Sequence, residues 1–270
     1  MKPKLIWKLL RAFAVIQGMA FNAFADTIDD PCDGASALLN IVDRPTVGDS
    51  ACVVPTSKAV LELGYQYQQG THSTGHQQNF PQAELRLGLP AHNEFVVLLP
   101  NYILQSMAPH SGYSATTVGI KHEIGYTQNW LAAAETLFTL PSGSTAFGSN
   151  GLGAAINAIV SYDINPKFNL TFMFGVTTAT QSSHDGGQRF TSINPDIVLT
   201  YSATDRLQLY GEIYGQSKTG PGESSGFNFD GGFLYLVLPN AEIDLEIGQR
   251  MSGNLGGFNH YIGTGMAFMF

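Results

Sequence analysis

Charged side chains recur at even spacing in this 270-residue sequence. Glu84 and Arg86 form one such pair and Lys121 and Glu123 a second. Glu242, Asp244, Glu246 and Arg250 form a longer series, interleaved with Ala241, Ile243, Leu245 and Ile247. Residues two apart on a β-strand share a face, so each series puts its charges on one side and aliphatic groups on the other. The same parity assigns twelve acids to one face: Glu62, Glu84, Glu94, Glu123, Glu135, Asp163, Asp196, Glu212, Asp230, Glu242, Asp244 and Glu246. Three bases join them, Arg86, Lys121 and Arg250. If that face lines a pore, its acid excess favours cations and neutral solutes over anions. If the interior is filled instead, these groups pair with one another, and Glu84–Arg86 and Lys121–Glu123 are the expected local pairs.

Nucleophilic chemistry has weaker support. Seven histidines are present, most of them in expected loops or turns, and His122 and His260 fall on the aliphatic parity. His260 with Ser252 or Ser111 could form a base–nucleophile pair, but loop serines are common and no Gly-x-Ser-x-Gly motif occurs. His72 and His76 share one loop, which is poor evidence for a metal. No catalytic residue, metal or cofactor is expected. Cys32 and Cys52 are the two cysteines, and in an exported chain such a pair reads as a disulfide.

These residues must be positioned by strands. From about residue 58 the chain repeats one unit, a strand of about ten alternating residues followed by a connection. Twelve strands are expected, near 58–68, 81–90, 93–104, 114–125, 130–140, 153–163, 168–178, 191–201, 206–216, 227–238, 241–250 and 259–270. Short connections rich in Pro, Asn and Asp alternate with long ones rich in Gly, Ser and Thr, as in barrels with periplasmic turns and external loops. The chain ends on an apolar strand at Phe270, with Ile262, Thr264, Met266 and Phe268 on one face and Tyr261, Gly263 and Gly265 on the other. Such a strand suits closure of a barrel in lipid. Tyr126, Trp130, Tyr162, Phe168, Tyr201 and Phe270 are expected in one interfacial girdle, and Tyr65, Tyr102, Tyr113, Tyr214 and Phe227 in the other.

Composition agrees. Only 13% of residues are charged, against about 25% in soluble domains. A formal charge of −8 argues against nucleic-acid binding. Lys2, Lys4, Lys8 and Arg11, the apolar run 12–21 and Ala23-Phe24-Ala25 read as a signal peptide cut after Ala25. Residues 26–57 then form a disulfide-linked periplasmic segment, either a plug in the lumen or a tether, with a short helix over 36–43 stopped at Arg44-Pro45. Residues 58–270 form the barrel.

The strand sequences resemble a family of outer-membrane proteins associated with the meta-pathway of phenol degradation. The resemblance rests on AVLELGYQY (59–67), AELRLGLPAHNEFVVLLPNY (83–102), TVGIKHEIG (117–125), LFTLPSG (137–143), LQLYGEIYG (207–215), FLYLVLPNAEIDLEIG (233–248) and HYIGTGMAFMF (260–270), together with CDGASALLNIVDRPTVGDSACVVP (32–55). It implies an outer-membrane transporter for small hydrophobic or aromatic compounds. Val96 and Leu98 stand where an inward charge is expected, which makes that wall greasier.

The expectation is an all-β, twelve-stranded antiparallel transmembrane barrel in the outer membrane of a Gram-negative bacterium, both termini periplasmic. Its function would be passive uptake of small neutral or cationic solutes. Pore lining is assigned to Glu62, Glu84, Arg86, Lys121, Glu123, Glu135, Glu212, Glu242, Asp244 and Arg250. The expected partners are outer-membrane lipid and lipopolysaccharide, the solute and the barrel-assembly machinery. The alternatives are a non-conducting structural or adhesin barrel and a lipid hydrolase.

Overall fold

The computed structural model describes residues 30–71 and 75–270, so the expected leader, its cleavage position and His72 lie outside the described residues. The chain forms twelve antiparallel strands closed into a barrel. They are β1 (Ala59–Gly70), β2 (His76–Phe80 with Glu84–Leu89), β3 (Asn93–Leu98 with Tyr102–Gln105), β4 (Ser111–Tyr113 with Thr117–Tyr126), β5 (Trp130–Thr139), β6 (Ala154–Asn165), β7 (Phe168–Thr180), β8 (Arg189–Thr204), β9 (Leu207–Gln216), β10 (Gly226–Leu238), β11 (Ala241–Ser252) and β12 (Phe258–Met269).

β2, β3 and β4 are each interrupted, a feature the sequence reading did not include. Pro81 and Pro100 fall in the first two breaks, where a residue without an N–H cannot donate to the ladder. β12 pairs with β11 on one side and with β1 on the other, Gly64 lying opposite Gly265. The ring therefore closes and leaves no open edge.

The two faces separate as parity requires. Ile120, Ile124, Phe172, Phe174, Ile243, Ile247, Ile262 and Met266 are exposed on the outer wall. Glu62, Arg86, Glu94, Lys121 and Asp230 are wholly buried within. An apolar belt of this extent suits hydrocarbon rather than water. Aromatics pair across neighbouring strands: Trp130 with Tyr162 at 4.4 Å and Phe168 with Tyr201 at 4.8 Å between ring centroids near the short turns. Tyr65, Phe80, Tyr102 and Tyr113 form a chain of rings nearer the long loops. Tyr214 corrects the girdle assignment: it shares the parity of Glu212, is buried, and approaches Tyr261 inside the barrel.

Residues 30–57 carry one helix, α1 (Ala37–Ile41), and the Cys32–Cys52 disulfide, whose Cα atoms are 5.5 Å apart. α1 lies against β10 and β11. Leu38, Ile41, Val42 and Val54 pack with Val60, Leu131, Ile159, Val198, Leu234 and Ala267, apolar residues on the inward parity. Each large aliphatic side chain buried in this way contributes about 1.5–3 kcal/mol. The inward face is thus apolar where α1 and Val54 pack and bears charges on other parts, including Glu94, Glu123, Asp163 and Glu242 beside short turns.

Candidate functional site

The lumen is built around residues 41–54. Asp43 and Arg44 donate their backbone N–H groups to the Glu62 carboxylate on β1, the latter at 2.8 Å. Val54 N–H donates to Glu94 on β3 at 2.7 Å. On the opposite wall, six strands away, Val47 and Gly48 N–H donate to Glu212 on β9 at 3.0 and 2.7 Å. Two successive N–H groups make a small anion-binding concavity. A Cβ on Gly48 would sit 2.9 Å from the Asp196 carboxylate, so a larger residue there would have to push that side chain aside. Arg44 reaches β11, where Nη2 and Nε donate to Asp244 at 3.2 and 3.4 Å, and Nη1 donates to Gln82. The segment crosses the lumen from wall to wall.

A buried charge cluster holds one side of it. Arg86 donates to both Glu94 oxygens at 2.9 and 3.0 Å, to Glu62 at 3.2 Å, and to the carbonyls of Ile41 and Cys52. It also pairs with Asp43. Lys121 Nζ donates to both Asp43 oxygens at 3.1 Å and lies 3.4 Å from Glu94. The local pairs expected from sequence are replaced. Arg86 takes Asp43, Glu62 and Glu94 rather than Glu84, and Lys121 takes Asp43 and Glu94 rather than Glu123. Register supplies the reason: Glu94 lies directly opposite Lys121, and Arg86 lies one step diagonal to both Glu62 and Glu94. Directly opposite residues stand about 4.5–5.5 Å apart, closer than the roughly 6.6 Å between residues two apart on one strand. The diagonals, at about 7–8 Å, are within reach of the long arginine side chain.

The remaining candidates distribute around this cluster. Glu84 is half-buried and lies opposite Glu62. Glu123 is buried and meets His92 at 3.3 Å. Glu135 accepts from Asn157 at 2.9 Å, and the same amide reaches Asp49 at 3.4 Å. Burial beside Glu135 holds the Asp49 carboxyl well above its usual range. Glu242 is buried with both oxygens unpartnered, as are both oxygens of Asp196 and one of Asp230. Tyr261 donates its hydroxyl to the other Asp230 oxygen. Arg250, half-buried toward the long loops, donates to Asn259 at 2.8 Å. Val96 is buried on the inward face, as its parity requires. His76 stacks on Tyr67.

Asp43, Arg44 and Asp49 were not among the residues assigned by strand parity. They precede the first strand, where period two says nothing. A cavity of about 530 Å³ lies between the segment and the wall of β5–β9, lined by Asn40, Asp49, Asp163, Asn169, Thr200 and Gln208 among others. Its walls mix these polar groups with apolar ones such as Leu39, Leu131, Val198 and Leu234.

The sequence model of one family, described as "Putative MetA-pathway of phenol degradation", matches residues 42–267. The chain belongs to this family. The match begins within the crossing segment and runs into the twelfth strand, so the family pattern takes in both the wall and most of what lies inside it. Among solved structures, an outer membrane channel from Pseudomonas putida F1 is similar at TM-score 0.67 and 12% identity, covering 83% of this chain and 100% of that one. The NanC porin matches at TM-score 0.54 and 13% identity over 78% and 98%. The KdgM porin matches at 0.53 and 9% over 77% and 99%. These likenesses establish an outer-membrane channel and porin fold. No curated protein matches in sequence.

Proposed function

We propose that this family member is a passive outer-membrane channel for small neutral or cationic solutes, narrowed by residues 30–57 acting as a plug. The observation that carries the reading is the cavity of about 530 Å³ beside the segment, which borders the apolar packing at Leu39, Leu131 and Leu234 and is clear of Arg86 and Lys121. It offers a route of mixed polarity along the wall of β5–β9. The excess of inward acids over inward bases lowers the potential inside and repels anions. The family name motivates an aromatic solute, and Trp130 and Phe168 supply aromatic side chains in the cavity lining. The lining of this route is supplied by residues such as Asn40, Asp49, Asp163, Asn169, Thr200 and Gln208, while Glu62, Arg86, Lys121, Glu212 and Asp244, assigned to the pore from sequence, serve to seat the plug. Short turns on the periplasmic side would place both chain ends there.

Swelling of liposomes carrying the purified protein tests this. Phenol-sized neutral and ammonium solutes should enter faster than a carboxylate of equal size. Equal rates for all three, or no swelling, would remove the reading in favour of a non-conducting barrel.

A further inference from the structure

Asp30, His92 and Glu123 converge at the short-turn end of the barrel, with one ligand-type atom from each lying within 4.8 Å of the others. They come from three separate elements: the N-terminal segment, the β2–β3 turn and β4. We propose that they form a binding site for a divalent transition-metal ion of the zinc type, which fastens the start of the segment to the barrel rim.

The geometry of the three side chains suits an ion. His92 Nδ1 lies 3.3 Å from Glu123 Oε1. With metal–ligand bonds of about 2.0–2.1 Å, adjacent corners of a tetrahedron are about 3.3 Å apart, so this pair already spans one edge of the coordination shell. Asp30 would close by a small movement, leaving the fourth position to water. One imidazole and two carboxylates form a donor set that suits zinc better than a purely oxygen-loving ion.

Glu123 itself is poorly compensated. Its side chain is nine-tenths buried or more. Its other oxygen, Oε2, lies 3.9 Å from the Cys32 sulfur. That sulfur is half of a disulfide and has no proton to donate. Among the described residues, His92 is the only side chain placed to compensate this carboxylate. A buried carboxylate with one weak partner is costly, and a bound cation relieves that cost.

The turn holds the imidazole in place. Ala91 and His92 have φ of 60° and 53°, and Glu123 N–H donates to the His92 carbonyl at 2.9 Å. Asp30 is fixed in turn by accepting the Cys32 N–H at 2.8 Å. The disulfide and the ion would then staple the same end of the segment.

The test is a Zn²⁺ titration of the folded barrel in detergent against a chromophoric chelator. His92→Gly removes the imidazole while tolerating the positive φ, and Asp30→Asn removes one carboxylate without touching the barrel wall. The expected result is one Zn²⁺ per chain, weakened at least tenfold by either substitution. His184→Ala, which removes the exposed His184–Asp185 pair, should leave binding unchanged. Absence of saturable binding, or binding untouched by His92→Gly, would overturn the site, as would equal loss in His184→Ala. Solute entry into liposomes is read separately, so failure here leaves the channel reading standing.

Discussion

Lys121 Nζ, on the wall of β4, donates to both carboxylate oxygens of Asp43 at 3.1 Å, and neither side chain is more than 5% exposed. This contact joins two parts of the chain 78 residues apart. It couples the order of the segment to the integrity of the barrel wall. Removing Lys121 leaves Asp43 with Arg86 and the Ser50 N–H, so the cost is a fraction of the ~3–5 kcal/mol of a wholly unpaired buried charge. Lys121→Met should therefore loosen the segment while leaving the strands paired. Thermal unfolding in detergent should show a lowered first transition, and limited proteolysis should cut within residues 30–57 far faster than in the wild type.

Gly88 on β2 faces the backbone of Pro55, and an added Cβ would collide with the Pro55 carbonyl oxygen. That atom is backbone and cannot rotate away. Gly88→Ala should displace the end of the segment and pull Val54 away from Glu94. An increase in hydrogen exchange at the Val54 amide, with the β2–β3 ladder amides unchanged, is the expected signature.

The Cys32–Cys52 bridge closes a loop of 20 residues in sequence separation. A bridge of that span constrains the unlinked state by about 3 kcal/mol. Reduction, or Cys52→Ser, should leave far-ultraviolet circular dichroism unchanged and increase current noise in single-channel records, as the segment samples undocked positions. A quiet record identical to the oxidised protein would argue that the other contacts suffice.

Asp49 gives a pH dependence of definite sign. Its folded pKa is raised by burial beside Glu135, so the folded state binds its proton more tightly than the unfolded state does. Its contribution to stability is complete below the ordinary carboxylate range and declines as pH rises toward the folded pKa. Asp49→Asn removes that decline. Unfolding midpoints of variant and wild type should nearly coincide at pH 4 and separate at pH 8, the variant being the more stable.

Much of the wall was legible because the physics is local. A closed barrel in lipid forces period two on every strand, and the charges of β11 showed that period without help from any other strand. The closing strand ending at Phe270 carried the outward parity that the structure reproduces. The interior was less legible. Parity says which face Arg86 occupies and nothing about which acid it meets, because its partners come from β1, β3 and the segment. Asp43 and Arg44 were hidden for the same reason, since their roles depend on a chain crossing the lumen. One signal was available: Val60, Leu131, Ile159, Val198 and Leu234 share the charged parity near the short turns. A water-filled pore has no need of such a patch, and it marks where a packed segment must sit.

The central claim is a cation-favouring channel narrowed by residues 30–57. Reversal potential and conductance in a planar bilayer under a potassium chloride gradient test it most directly, for the full protein and for a variant lacking residues 30–54. The account predicts a small, steady conductance with a reversal potential of cation-selective sign, and a several-fold larger conductance in the variant. Silence from both proteins, or equal conductance with anion-selective reversal, would contradict it.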